Sequence, residues 1–133
     1  MIRRVLALLL FAISLRAQSV RPLTILHSND LHAHLLPDDQ GMGGFAYLAT
    51  AVREQRAHSA ASIYLNAGDL VQGTPVSTLF QGLPIYEIAN HLGFDVSTLG
   101  NHEFDYGWQR IQDFVKAAQF PIVSANVVND QGA

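Results

Sequence analysis

One pattern, met three times, constrains the fold of this chain more than any other feature. A short apolar run ends in a polar loop rich in ligand atoms, and a segment of helical period follows. Leu23-Thr24-Ile25-Leu26-His27 runs into Ser28-Asn29-Asp30-Leu31-His32, Ser62-Ile63-Tyr64-Leu65-Asn66 runs into Ala67-Gly68-Asp69, and Asp95-Val96-Ser97-Thr98-Leu99 runs into Gly100-Asn101-His102-Glu103-Phe104-Asp105. Between the runs, Phe45, Leu48, Ala49 and Val52 recur at helical spacing and predict a crossover helix over 44–56. Residues 70–83 read as a loop with one helical turn, and Pro84 opens a helix over 85–92 that Gly93 ends. Trp108, Ile111, Phe114, Val115 and Ala118 form a further helical face, and Pro121-Ile122-Val123-Ser124-Ala125 reads as a fourth strand. The order β-α-β-α-β-α-β predicts an α/β fold with a largely parallel sheet and right-handed crossovers. The first strand, nearly continuously apolar, is expected to be buried on both faces. All three polar loops then meet at the carboxyl edge of the sheet, where open α/β sheets place their ligands.

The first residues stand apart from this plan. Arg3-Arg4, the apolar run Val5 to Leu15 and the small residues Ala17 and Ser19 form the pattern of a secretory signal peptide over 1–19, cleaved after Ala17 or Ser19. The apolar run is too short to span a bilayer. An exported protein, periplasmic or extracellular, with no membrane association after cleavage is therefore expected. Loss of Arg3, Arg4 and Arg16 leaves five basic against eleven acidic side chains, a formal charge of −6. Such a chain lacks the basic surface that nucleic-acid binding requires. There is no cysteine, so any metal must be held by His, Asp, Glu, Asn or water. That donor set points away from structural zinc and towards catalytic or hard-metal sites.

Asp30, His32, Asp69, Asn101 and His102 are oxygen and imidazole donors suited to Zn, Mn, Fe or Mg. If the chain stays extended after the first strand, alternation puts Asp30 and His32 on one side. Asp69, between the other two clusters, is the natural bridge between two cations of a phosphate-hydrolysing site. Asp105, three residues after His102, is placed to hold that imidazole and favour its protonated form. His27 reads as a core or supporting histidine, His34 as a rim or solvent-facing one, and His91 as a helix cap. An H-E-x-x-H zinc helix fails because residue 106 is Tyr. A flavodoxin-like binding domain with polar loops at its strand ends remains the competing architecture.

The combination Asp30-Leu31-His32, Gly68-Asp69 and Gly100-Asn101-His102-Glu103-Phe104-Asp105 resembles the first three signatures of the calcineurin-like metallophosphoesterases. Ile25 to His32 and Asn101 to Asp105 resemble their exported bacterial 5'-nucleotidase branch. The resemblance implies part of a four-layer α/β/β/α sandwich. It further implies that Asp30 and His32 bind a first divalent metal, that Asp69 bridges, and that Asn101 binds the second. His102 would be the catalytic histidine, Asp105 its partner, and a nucleotide or other phosphoester the substrate. The family's later G-H and G-H-x-H histidines have no counterpart, since no histidine follows His102. Residues 20–133 are accordingly expected to be the N-terminal part of the phosphoesterase domain, without its C-terminal half or the nucleotidase C-terminal domain. At most one of the family's two divalent ions (Zn, Mn or similar) is expected on this chain. The alternative to a hydrolase is an inactive fragment, or a module that binds a single cation or an anion without turnover.

Overall fold

The computed structural model describes residues 20–128, so the expected signal peptide lies outside the described residues. Strand β1 spans Thr24–Ser28, helix α1 Phe45–Ala57, strand β2 Ser62–Asn66, helices α2 and α3 Pro75–Leu79 and Leu83–Ala89, and strand β3 Val96–Ser97. A 3₁₀ turn over His102–Phe104 and helix α4, Trp108–Ala117, follow. The strands form a parallel sheet in the order β1-β2-β3. Each of the three therefore points its carboxyl end to the same edge, as the repeated pattern predicts. No helix among the described residues is long and apolar enough to cross a membrane.

Helix α1 forms over an alanine-rich stretch whose apolar side chains Phe45, Ala49 and Val52 fall on one stripe and are buried. Its last turn carries Arg56, which donates to the Gly93 carbonyl at 2.8 Å and pairs with Asp95 at 2.6 Å. The same Asp95 oxygen accepts the Tyr64 N–H at 2.7 Å, tying α1 to β2 and to the entry of β3. That backbone hydrogen bond, with Arg56 second, holds the Asp95 carboxyl below its ordinary value. Helix α3 buries Ile85, Tyr86 and Ala89, and Tyr86 stacks on Phe114 of α4 at 4.4 Å between ring centres. Phe120 and Phe94 complete this aromatic cluster.

Three expectations change. Pro121 to Ala125 is not a strand but touches β3 through a single bridge, Ser97 to Ile122. A two-residue β3 offers a neighbour little more than one pair, and Pro121 has no N–H to add. Strand β1 is not buried on both faces. Its register sets Leu26 beside Tyr64, and Ile25 and His27 beside Ile63 and Leu65 on the opposite face. On the first of these faces Leu26 and Tyr64 join the core cluster with Ala49 and Val52 of α1, while Ile25 remains 58% exposed. His27, on the same open face, is exposed as well, so it is not a core residue. Finally, Trp108 and Val115 face solvent on α4, where Phe114 alone is buried.

Candidate metal centre

The three loops at the carboxyl edge lie against one another backbone to backbone. The Asp30 N–H donates to the Gly68 carbonyl at 3.1 Å, His32 N–H to Asp69 O at 3.0 Å, and Ala33 N–H to Leu70 O at 2.8 Å. The second and third loops touch at their glycines. A Cβ on Gly68, itself at φ +97°, would stand 2.8 Å from Gly100 Cα, and a Cβ on Gly100 would stand 2.6 Å from Asp69 N. Only glycine permits that approach. The chain does not stay extended beyond β1: Asp30 and His32 are left-handed, at φ 53° and 44°, and Asp69 is too, at φ 56°. The cross-loop hydrogen bonds, rather than strand alternation, orient these side chains. Non-glycine residues held in this region carry strain of order 1–3 kcal/mol each, which clusters at functional sites.

Each of His32, Asp69 and His102 offers a ligand atom within 4.8 Å of the other two. The two imidazoles meet edge to face at 5.1 Å. Asp69 is buried, and its Oδ1 accepts the His102 N–H at 3.0 Å. Asp30 stands beside the trio rather than in it, exposed, with Oδ1 3.6 Å from His32 Nε2. Asn101 is exposed at the start of the 3₁₀ turn. Two imidazoles and a carboxylate at this separation are a donor set that fits a borderline divalent cation such as Zn or Mn. His34 faces solvent, as its sequence context predicts.

Asp105 Oδ2 lies 2.8 Å from His102 Nδ1 and accepts from Gln72 Nε2 at 3.0 Å. The hydrogen bond to Asp105 raises the His102 imidazole above its ordinary value, and the Asp105 carboxyl is lowered, by His102 first and Gln72 second. With Nδ1 engaged by the carboxylate, the ring's other nitrogen is the one left for ligation or proton transfer.

Sequence reasoning missed Glu103. Its side chain is fully buried. Oε1 accepts the Leu70 N–H at 2.8 Å, while Oε2 accepts those of Asp69 at 3.0 Å and Gly100 at 2.6 Å. One carboxylate thus gathers three backbone donors from the second and third loops and fixes the Asp69–His102 spacing. Tyr86 lies alongside, and burial together with the Glu103 charge pushes its phenol far above the ordinary range. A glutamate next to a histidine in a polar loop reads as solvated, and nothing local in the sequence marks it otherwise.

Comparison with known proteins agrees with this geometry. The family model for calcineurin-like phosphoesterases matches residues 23–131. The chain belongs to the calcineurin-like phosphoesterases. It is 42% identical over 117 residues to the probable 5'-nucleotidase of Treponema pallidum, covering 80% of this chain and 20% of that protein. To the 5'-nucleotidase of Mus musculus it is 40% identical over 122 residues, covering 84% and 21%. Among solved structures it resembles the NAD nucleotidase of Haemophilus influenzae, with a TM-score of 0.74 and 32% identity over 83% of this chain and 22% of that one. It also resembles the 5'-nucleotidase precursor of Thermus thermophilus, with a TM-score of 0.68 and 38% identity over 78% and 22%. This phosphoesterase chain spans about a fifth of the length of the curated relatives it matches. Members of the family use divalent metals, and the His32–Asp69–His102 trio is a ligand set of the matching kind.

Proposed function

We propose that the chain is the N-terminal part of an exported phosphoesterase domain that hydrolyses nucleotides with divalent metal. The convergence of His32 and Asp69 at one sheet edge, with His102 beside them and its Nδ1 bound to Asp105, carries this reading. The likeness to 5'-nucleotidases over four-fifths of the chain supports the substrate class. Export rests on the Arg3-Arg4 and Val5–Leu15 pattern.

In this reading Asp30, His32, Asp69 and Asn101 would hold the divalent cations. Bound divalent cations supply Lewis-acid polarisation of the phosphoryl group and neutralise its charge. His102 donates a proton from Nε2 to the departing alkoxide oxygen. Asp105 accepts from Nδ1–H, which keeps the ring oriented and favours the doubly protonated imidazolium that such a donor must be. Glu103 holds the Asp69 and Gly100 backbones so that donor and carboxylate keep their spacing.

The test is phosphate release from AMP with manganese or zinc, run on the complete protein that carries this sequence and on the 133-residue chain alone. Turnover by the complete protein and none by the short chain is the expected result. Inactivity of both would overturn the nucleotidase reading, and robust turnover by the short chain would overturn the placement of this segment as an incomplete domain. Because three donors gather most closely, binding of one cation without turnover is the second reading. Titration calorimetry giving one equivalent, with no phosphate released by the complete protein, would favour it.

A further inference from the structure

We propose that Gln72 is a positioning residue for the His102–Asp105 pair, acting through Asp105. The inference rests on the proton-donor role given to His102 above. Gln72 lies on the second loop, at φ 74°, a conformation that side-chain-bearing residues seldom adopt. Its backbone is held there because its N–H donates to Oγ of the fully buried Ser77 at 2.9 Å. Its amide is engaged at both ends. Oε1 accepts the N–H of Gly73 at 3.1 Å, and Nε2 donates to Asp105 Oδ2 at 3.0 Å.

Asp105 Oδ2 is the same oxygen that faces His102 Nδ1, so one carboxylate oxygen is held from two directions. A carboxylate with a single partner swings about its side-chain torsions, and the imidazole follows it. A second donor, itself anchored through its backbone to a buried serine, removes that freedom. The neutral ring then keeps its hydrogen on Nδ1 and leaves Nε2 free on the side of His32 and Asp69. A glutamine suits the task better than a charged donor would. Lys or Arg would compete with the imidazolium for Asp105, whereas a neutral amide fixes the carboxylate without cancelling its charge.

The experiment uses the complete protein with manganese and AMP, and reads kcat and KM together with the His102 tautomer by ¹⁵N NMR of the metal-free protein. Gln72→Ala is expected to lower kcat about three- to tenfold with KM unchanged within about twofold, the cost of one hydrogen bond that matters in the transition state. The His102 ring should shift from the Nδ1–H tautomer towards a mixture. In an Asp105→Ala background the same change should have no further effect, since the carboxylate it acts through is gone. Gln72→Asn separates reach from backbone conformation. Asparagine tolerates positive φ well but is one methylene short, so it should behave like Gln72→Ala. Wild-type behaviour of Gln72→Asn would mean that only the loop conformation matters, and would overturn the proposal. So would unchanged kcat and tautomer in Gln72→Ala, or a full additive loss in the Asp105→Ala background. If the wild-type protein releases no phosphate, the nucleotidase reading fails, and the tautomer measurement still decides the role of Gln72.

Discussion

Glutamate 103 offers the sharpest test of how the site is held together. Replacing it by alanine strands the Leu70, Asp69 and Gly100 N–H groups, the first two of them in buried hydrogen bonds. An unsatisfied buried donor costs about 1–3 kcal/mol, so two give about 2–6 kcal/mol before relaxation. Against this stands the relief of no longer desolvating a carboxylate with no cationic partner among the described residues, several kcal/mol in the opposite sense. The two contributions are of similar size and opposite sign and largely offset one another, so alanine is a blunt probe of the clamp. Glu103→Gln is the cleaner change. The amide oxygen can take the place of Oε2 and keep two bonds, but its NH₂ then faces the Leu70 N–H, donor against donor. That single mismatch should cost about 1–3 kcal/mol, a fall in melting temperature of about 5–15 °C for a domain of about 100 residues. Tyr86→Phe is the control. It leaves the three backbone N–H groups on Glu103 in place, so its effect on stability should be small. The assay is urea unfolding followed by circular dichroism, with amide hydrogen exchange to show selective loss of protection at Asp69, Leu70 and Gly100. Glu103→Gln as stable as the wild type, with those amides still protected, would refute the clamp.

Further expectations concern the same edge of the sheet and its anchor. Gly100→Ala forces a methyl group to 2.6 Å from the Asp69 N, and should cost at least about 2 kcal/mol and weaken divalent-metal binding measured by titration calorimetry; unchanged affinity and stability would show that the loops have room to part. His102→Asn in the complete protein should lower phosphate release by about 10²–10⁴ while leaving metal content largely in place, and Asp105→Asn should do less; an unchanged rate would remove His102 from the chemistry. Asp95, whose folded carboxyl is lowered, stabilises the fold above its unfolded value, and that contribution is lost as pH falls through the folded one. Asp95→Asn should therefore lose about 1 kcal/mol at pH 7 and show a shallower decline on acidification, checked by unfolding curves at several pH values; equal stability at pH 7 would show that the Arg56 and Tyr64 contacts contribute nothing.

The plan of the molecule is written in the linear pattern. Apolar runs of strand length, separated by helix-period segments, admit little besides a parallel α/β sheet, because parallel neighbours need crossovers and the shared edge follows from direction alone. The placement of Asp30, His32, Asp69, His102 and Asp105 at that edge was legible for the same reason, since each sits just past a strand end. What the linear pattern did not carry is which faces become covered and which backbones touch. Ile25 and His27 read as interior because the run around them is apolar, yet burial depends on what packs above a sheet face, and among the described residues the core side chains gather on the face of Leu26 and Tyr64. Pro121 to Ala125 has the composition of a strand, but pairing needs a partner of matching length, and β3 has two residues. The geometry of the trio came from left-handed turns at Asp30, His32 and Asp69 and from hydrogen bonds between loops dozens of residues apart. Glu103 shows the limit most clearly. A carboxylate belongs in water until three backbone N–H groups from two loops converge on it, and that convergence exists only once the sheet has brought the loops together.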